Sequence, residues 1–332
     1  MSGYHRGEIA AQKRAGLTRQ AAHAEPVIRN AVPAVAADFL AEQPFVVVGG
    51  ADERGRIWAT QLLGRPGFLS VPAPQTLLVD ALPLPGDPLA GLLAGAGAGA
   101  GAGARAGAGA ASAFAPASGG PSGPARIGMI AISPAARRRM RMNGRAVRDG
   151  GRLRVDLDQV VSNCPKYIQQ RRHRELAPRG QAVEQRTVTD SDALNPAQQE
   201  ALRAADTFFV ATASDRGDAD ASHRGGNPGF VEVLSPRLLR WPDYQGNAMF
   251  LTLGNLELNP AAGILLPGWD TGTALHLSGS ARTVWDGDEV TRTPGAERLV
   301  EFQVDAVREI TAASPLRWSE PALSRFNPPT TG

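Results

Sequence analysis

GRIWATQLLGRPGF (residues 55–68) and GDADASHRGGNPGF (residues 217–230) share an opening glycine and a closing Gly-x-Pro-Gly-Phe, with no gap between the two anchors. Each follows an apolar run and a polar turn: Phe45-Val-Val-Val48 before Asp52-Glu-Arg-Gly55, and Phe208 to Thr212 before Ser214-Asp-Arg-Gly217. β-Branched and aromatic runs closed by Gly-containing turns read as β-hairpins. A second pair, GMIAISPAARRRMRMNGRA (128–146) and GILLPGWDTGTALHLSGSA (263–281), keeps the same spacing from its first glycine to its second. One β-rich unit is therefore written twice in the chain.

Strand periodicity supports this. In Arg139-Met-Arg-Met142 the methionines leave one face and the arginines the other, and Leu275-His-Leu277 alternates likewise. The copies differ between their anchors. From Gly246 to Gly263 the second runs through NAMFLTLGNLELNPAA, a short helix stopped at Asn259-Pro260. The first has a longer passage, Gly86 to Gly128, filled by Gly-Ala alternation; too little of it is apolar to offset chain entropy, which predicts a mobile surface loop over 94–125. Residues 1–42 read as a helical lead-in interrupted by Pro26 and Pro33, 43–168 as the first unit, 169–200 as a polar, Arg-rich linker and 201–332 as the second unit.

Composition narrows the function. The chain has 332 residues, enough for two cores, and its 35 Lys+Arg against 32 Asp+Glu do not announce a nucleic-acid partner. One cysteine excludes an intrachain disulfide framework and a Cys-rich zinc site. The first residues carry charges and no apolar signal segment, which predicts a cytoplasmic protein; the uncharged stretch 88–104 is too Gly-rich to span a membrane. Histidines 5, 23, 173, 223 and 276 fall in no metal-ligand spacing, so no metal is expected. Strict Gly-Ala alternation cannot supply a GxGxxG fingerprint. Ser222 and His223 are neighbours on a strand and leave opposite faces, which excludes a nucleophile and base pair. Cys164 reads as a small buried thiol, and Arg137-Arg-Arg139 with Arg141, like Arg171-Arg-His-Arg174, as solvated surface without interleaved aromatics. No catalytic acid, base or nucleophile is assigned.

One stretch suits a phosphate and a flat ring: Ser222-His-Arg-Gly-Gly226, then Trp241-Pro-Asp-Tyr-Gln-Gly-Asn247 opening a helix. A phosphate dianion takes charge-assisted bonds from a guanidinium and from free backbone N–H groups, which Arg224 and the Gln245-Gly-Asn turn offer. The flanking glycines let backbone approach a flat ligand.

The order of elements, PDYQGNAMFLTLGN (242–255), LHLSGSARTVWD (275–286), GAERLVEFQVDAVREI (295–310), the lead-in YHRGEIAAQKRAG and NCPKYIQ together resemble the pyridoxamine 5'-phosphate oxidase-like family of FMN-binding split β-barrels, and more narrowly its duplicated bacterial branch. The resemblance implies a mainly β fold with flanking helices, two tandem split barrels packed as an internal pseudo-dimer, and FMN held where the barrels meet. Carried over to this sequence, the cofactor positions are Ser222, His223, Arg224, Trp241, Asp243, Tyr244, Gly246 and Asn247. In the first copy the counterparts of Ser222, His223 and Arg224 are Thr60, Gln61 and Leu62, so the guanidinium is lost and one flavin per chain is expected. Ala248 and Met249 stand where many such flavoproteins are basic, and the substrate-phosphate residues of the true oxidase are not recognisable. The implied activity is an FMN-dependent oxidoreductase passing a hydride through flavin N5, with NADH or NADPH as donor. A flavin- or haem-binding module without turnover is the alternative, and further homodimerisation stays open.

Overall fold

The computed structural model describes residues 3–97, 123–175 and 185–330. In the first unit β1 (Phe45–Ala51), β2 (Ile57–Leu63), β3 (Leu69–Ala73), β4 (Thr76–Val79), β5 (Ala125–Ser133), β6 (Arg138–Asp149) and β7 (Arg152–Asn163) form one antiparallel sheet, ordered β2-β1-β5-β6-β7-β4-β3. Two short strands follow, β8 (His173–Glu175) and β9 (Val188–Ser191). The second unit then repeats the order with β10 (Thr207–Ala213), β11 (Ala219–Gly225), β12 (Glu232–Ser235), β13 (Leu238–Tyr244), β14 (Ala261–Pro267), β15 (Ala274–Val284) and β16 (Ala296–Ile310), as β11-β10-β14-β15-β16-β13-β12. Strand β9 extends this sheet along β16, and β17 (Leu316–Trp318) pairs with β8.

The repeat holds at the level of single residues. Gly128 lies opposite Gly49 across the β5–β1 ladder, and Gly263 opposite Ala211 across β14–β10. The second glycine of each pair, Gly144 or Gly279, marks a β-bulge against β7 or β16. The first glycines explain themselves by contact: a Cβ on Gly128 would stand 2.4 Å from Asp220 Cα on β11, and one on Gly263 would stand 2.6 Å from Trp58 Cα on β2. Each unit thus presses its fifth strand, backbone to backbone, on the second strand of the other. Such reciprocal contact is the mark of a two-fold, here between halves of one chain.

Three cores result. Val46 and Val48 point into the first, with Leu62, Met129, Met140 and Met142; Phe208 and Val210 point into the second, with Trp241 and Phe302. Phe45, Val47, Phe209 and Ala211 leave the opposite strand faces and fill a third core between the units. Burial on both faces accounts for the unbroken apolar runs in β1 and β10.

The lead-in forms α1 (Arg6–Arg14), α2 (Thr18–Ala24), a 3₁₀ turn over Glu25–Val27 containing Pro26, and α3 (Ala34–Ala41), whose N-cap is Pro33. His5 and Glu8 close a capping box at the start of α1. Helix α4 (Ala90–Gly95) buries Leu93 in the first core, and Ala96 O accepts a bond from Arg148 N, so the inserted passage is anchored at its start; the rest of the predicted loop, 98–122, lies outside the described residues. So does 176–184 of the linker. Helix α5 (Pro196–Arg203) precedes β10, α6 (Leu251–Leu256) joins β13 to β14, and α7 (Asp288–Arg292) joins β15 to β16. Helix α1 crosses α6 at Gly7 and Gly254, where a Cβ on Gly7 would lie 2.1 Å from Gly254 O.

Candidate functional site

A cleft of about 370 Å³ opens between the units, walled by β11, β13 and the approach to α6 from the second, by β6 and the chain after β7 from the first, and by Leu17 and Gln20 of the lead-in. His223, Arg224, Asp243, Tyr244, Gly246 and Asn247 line it together, as neighbours on β11, β13 and the following turn. Ser222 and Trp241 do not. Ser222 is fully buried with its Oγ 3.1 Å from Thr252 Oγ1 of α6. Trp241 sits in the second core, edge-on to Phe208 with ring centroids 5.1 Å apart. Each shares a strand face with a residue at the cleft, Arg224 or Asp243, but lies two residues deeper.

The turn after β13 also differs from the expected helix start. Asn247 Oδ1 accepts a bond from Met249 N at 3.1 Å, Ala248 and Phe250 adopt left-handed backbone, and α6 begins only at Leu251 with six residues. Free N–H groups of a helix are therefore not what this turn supplies.

The first unit supplies two cations instead, and this overturns the reading of Arg139 and Arg141 as solvated. One terminal nitrogen of Arg139 lies 2.8 Å from His223 Nδ1, while its Nε donates to Cys164 O at 3.1 Å. Arg141 pairs with Asp220 at 3.1 Å, and that carboxylate also accepts from Asn143 and Thr252. The alternation of the strand is as expected, with Met140 and Met142 in the first core. Its polar face, however, reaches the second unit and the cleft at Arg139 and Arg141.

Arg224 donates to Asp243 Oδ1 at 2.5 Å, and Arg298 of β16 donates to Asp243 Oδ2 at 2.7 Å, so one carboxylate serves two guanidiniums. Arg298 is held over Phe250, 4.9 Å from its ring centroid. Five cationic side chains, Arg139, Arg141, Lys166, Arg224 and Arg298, thus stand against three carboxylates, Asp243 and Glu297 on the cleft and Asp220 behind Arg141. This excess of positive charge has physical consequences. Burial, with the neighbouring Arg141 and Arg224, brings the Arg139 guanidinium down to about 9. Burial, then Arg139, Arg224 and Arg141, hold His223 well below the ordinary imidazole range, so the ring is neutral. Burial pushes Tyr244 up to about 12 and raises Tyr167, which keeps both phenols protonated.

Those two rings stand 5.1 Å apart, and Tyr167 Oη donates to Gln245 O at 3.2 Å. The NCPKYIQ segment therefore belongs to the cleft, and Gly225 is the residue that admits it: a Cβ there would fall 2.1 Å from Tyr167 O. Cys164 is exposed on the cleft wall, not the small buried thiol that the sequence predicts. Three buried nitrogens on cleft side chains, Nε of Arg141, Nε of Arg224 and Nε2 of His223, have no hydrogen-bond partner among the described residues. Buried polar atoms left unpaired cost free energy, and Asn163 Oδ1, an acceptor on a residue of the same cleft, is unpaired as well. No group of His, Cys, Asp and Glu among the described residues could hold a metal ion.

Residues 194–319 match the family model described as pyridoxamine 5'-phosphate oxidase. No curated protein matches the chain. Solved structures similar to it include an FAD-binding protein from Mesorhizobium loti (13% identity, TM-score 0.26, covering 37% of this chain and 98% of that one). Others are the FAD-binding protein from Mycobacterium smegmatis (12%, 0.27, 36% and 98%) and the haem storage protein HutZ from Vibrio cholerae (13%, 0.26, 41% and 99%). The match to the pyridoxamine 5'-phosphate oxidase family model thus falls on the second unit, and the first unit repeats that unit's sheet order.

Proposed function

We propose that the chain is an FMN-dependent oxidoreductase with one flavin in the inter-unit cleft. The observation that carries this reading is the set of unpaired, buried N–H donors contributed from both units: Arg141 on one side, Arg224 and His223 on the other. The volume is within the range of small-molecule sites, roughly 300 to 1,000 Å³. Arg141 and Arg224, backed by Arg139 and Arg298, would hold the phosphate; His223, Tyr244 and the Gly246-Asn247 turn would hold the ring system. A bound flavin supplies hydride exchange at N5, with a reduced nicotinamide as electron donor.

The chain's own part is binding, orientation and field. His223 is neutral and both tyrosines stay protonated, so they act as hydrogen-bond donors and not as bases. Asp243 tempers the charge of Arg224 and Arg298 and fixes where their guanidiniums point. Excess positive charge beside the ring favours a reduced, anionic ligand over an oxidised neutral one. The test is an absorption spectrum of the purified protein with an FMN titration, followed by anaerobic NADH or NADPH. A flavin spectrum at one per chain that bleaches with the donor is expected. Protein that takes up no FMN overturns the assignment, and bound flavin that neither donor bleaches overturns turnover and leaves a carrier.

A further inference from the structure

Arg139 reaches His223 across the boundary between the units, and more than that contact fixes its place. Its Nε donates to Cys164 O at 3.1 Å and its second terminal nitrogen to Lys166 O at 3.4 Å, two carbonyls of the segment after β7. The remaining terminal nitrogen is the one 2.8 Å from His223 Nδ1. A guanidinium has five N–H donors and no acceptor. Nδ1 must therefore accept, and in the neutral ring the single proton sits on Nε2. His223 is 4% exposed, and that Nε2 is among the buried atoms without a partner.

We infer that Arg139 is a positioning residue that locks His223 as an Nε2–H donor, so that the cleft admits a ligand carrying a carbonyl or ring-nitrogen acceptor and refuses one that needs an imidazole lone pair. The inference rests on the cleft being the flavin site and names what selects the ligand there. A flavin ring edge offers such acceptors. Haem iron, in contrast, takes an unprotonated imidazole nitrogen. Ligation through Nε2 would move the proton to Nδ1 and set it against the N–H of Arg139, donor facing donor. The register positions equivalent to Arg139 and His223 in the other unit are Ala274 and Gln61, so this pair exists once in the molecule.

The first readout needs no cofactor. In ligand-free full-length protein labelled with ¹⁵N at histidine, the His223 resonances, identified by their loss in His223→Gln, should report a single Nε2–H tautomer. Arg139→Leu should convert this to a mixture, and Arg139→Lys, which keeps an N–H donor, should retain the wild-type form. FMN affinity should fall about tenfold in Arg139→Leu, the loss of one hydrogen bond in a charged setting. Hemin affinity should rise by a similar factor with a histidine-ligated Soret band, and the double variant Arg139→Leu/His223→Gln should lose that band. An unchanged tautomer in Arg139→Leu, or hemin bound through His223 as tightly by the wild type, overturns the inference. Wild-type protein that binds no FMN while the tautomer and the hemin response switch as stated would overturn the flavin assignment alone and support the role of Arg139.

Discussion

The two units have the same strand order and opposite fates at the same register positions. On β11, Asp220, Ser222 and Arg224 face Arg141, Thr252 and Asp243; on β2 the corresponding residues are Trp58, Thr60 and Leu62. Trp58 and Leu62 lie in the first core, and Thr60 donates to the buried carboxyl of Asp87. Across the boundary, Arg139 and Arg141 of β6 correspond to Ala274 and His276 of β15. Ala274 fills the core between the units, and His276 Nδ1 is 2.8 Å from Ala59 O. At these mirror positions the side chains are thus engaged with protein, and none is a guanidinium. The first unit is not merely a worn copy that supplies a wall, because it contributes two of the guanidiniums the second unit lacks. A duplicated pair has divided one site between its halves.

The largest effect tests the two-fold itself. Gly128→Val and Gly263→Val each force a side chain into the backbone of the other unit, at 2.4 Å from Asp220 Cα or 2.6 Å from Ile57 O. Because each clash is with backbone, each should cost more than the usual overpacking penalty, on the order of 5 kcal/mol or more, read as a lower urea midpoint. Similar losses at both positions sharpen the equivalence of the units; a loss at only one breaks it.

Next in size is a pair at one register position. Arg224→Ala removes a charge-assisted donor from the cleft and should weaken FMN binding by about 1.5 to 3 kcal/mol, roughly tenfold to a hundredfold, with little change in unfolding. Leu62→Ala empties part of the first core and should do the reverse, costing about 2 to 5 kcal/mol of stability while the folded protein keeps its flavin affinity. Titration calorimetry and urea unfolding on both variants check the exchange of roles. Equal loss of FMN binding in the two would show that this register position serves the ligand in both units.

How far the sequence reveals this follows from where each constraint acts. The duplication is legible because its anchor glycines answer to backbone contacts at Gly128, Gly144, Gly263 and Gly279 and to left-handed turns at Gly55, Gly67, Gly217 and Gly229, where other residues fit poorly. The alternation of Arg139 to Met142 is legible because a strand has period two. What covers the arginine face is not, since that depends on a sheet some eighty residues away in sequence, at His223 and Asp220. The family resemblance places Ser222 and Trp241 at the cofactor, yet depth along the strand separates them from Arg224 and Asp243. Cys164 and Tyr167 lie in a segment with no periodicity to read, and only the close approach of Tyr167 O to Gly225 places them.

The smallest expected effect on ligand binding comes from opening the mirror position. Asp87 stands beside it: its carboxyl accepts from Thr60 Oγ1 and from Leu89 N at 2.8 Å, and burial raises its pKa. Asp87→Ala leaves that hydroxyl and that amide without their acceptor and should cost about 1 to 3 kcal/mol of stability. It should not create a second flavin site. The vacated place would still hold Leu62 where the cleft has Arg224, Ala274 where it has Arg139, and a His276 already bonded to Ala59 O where it has Arg141. No guanidinium would stand at any of the three places from which the cleft draws its charge. The flavin-to-chain ratio in Asp87→Ala should therefore stay at one, measured by flavin absorbance against protein concentration after gel filtration in excess FMN. A ratio near two would mean that space, and not the division of cations between the units, is what limits the molecule to a single site.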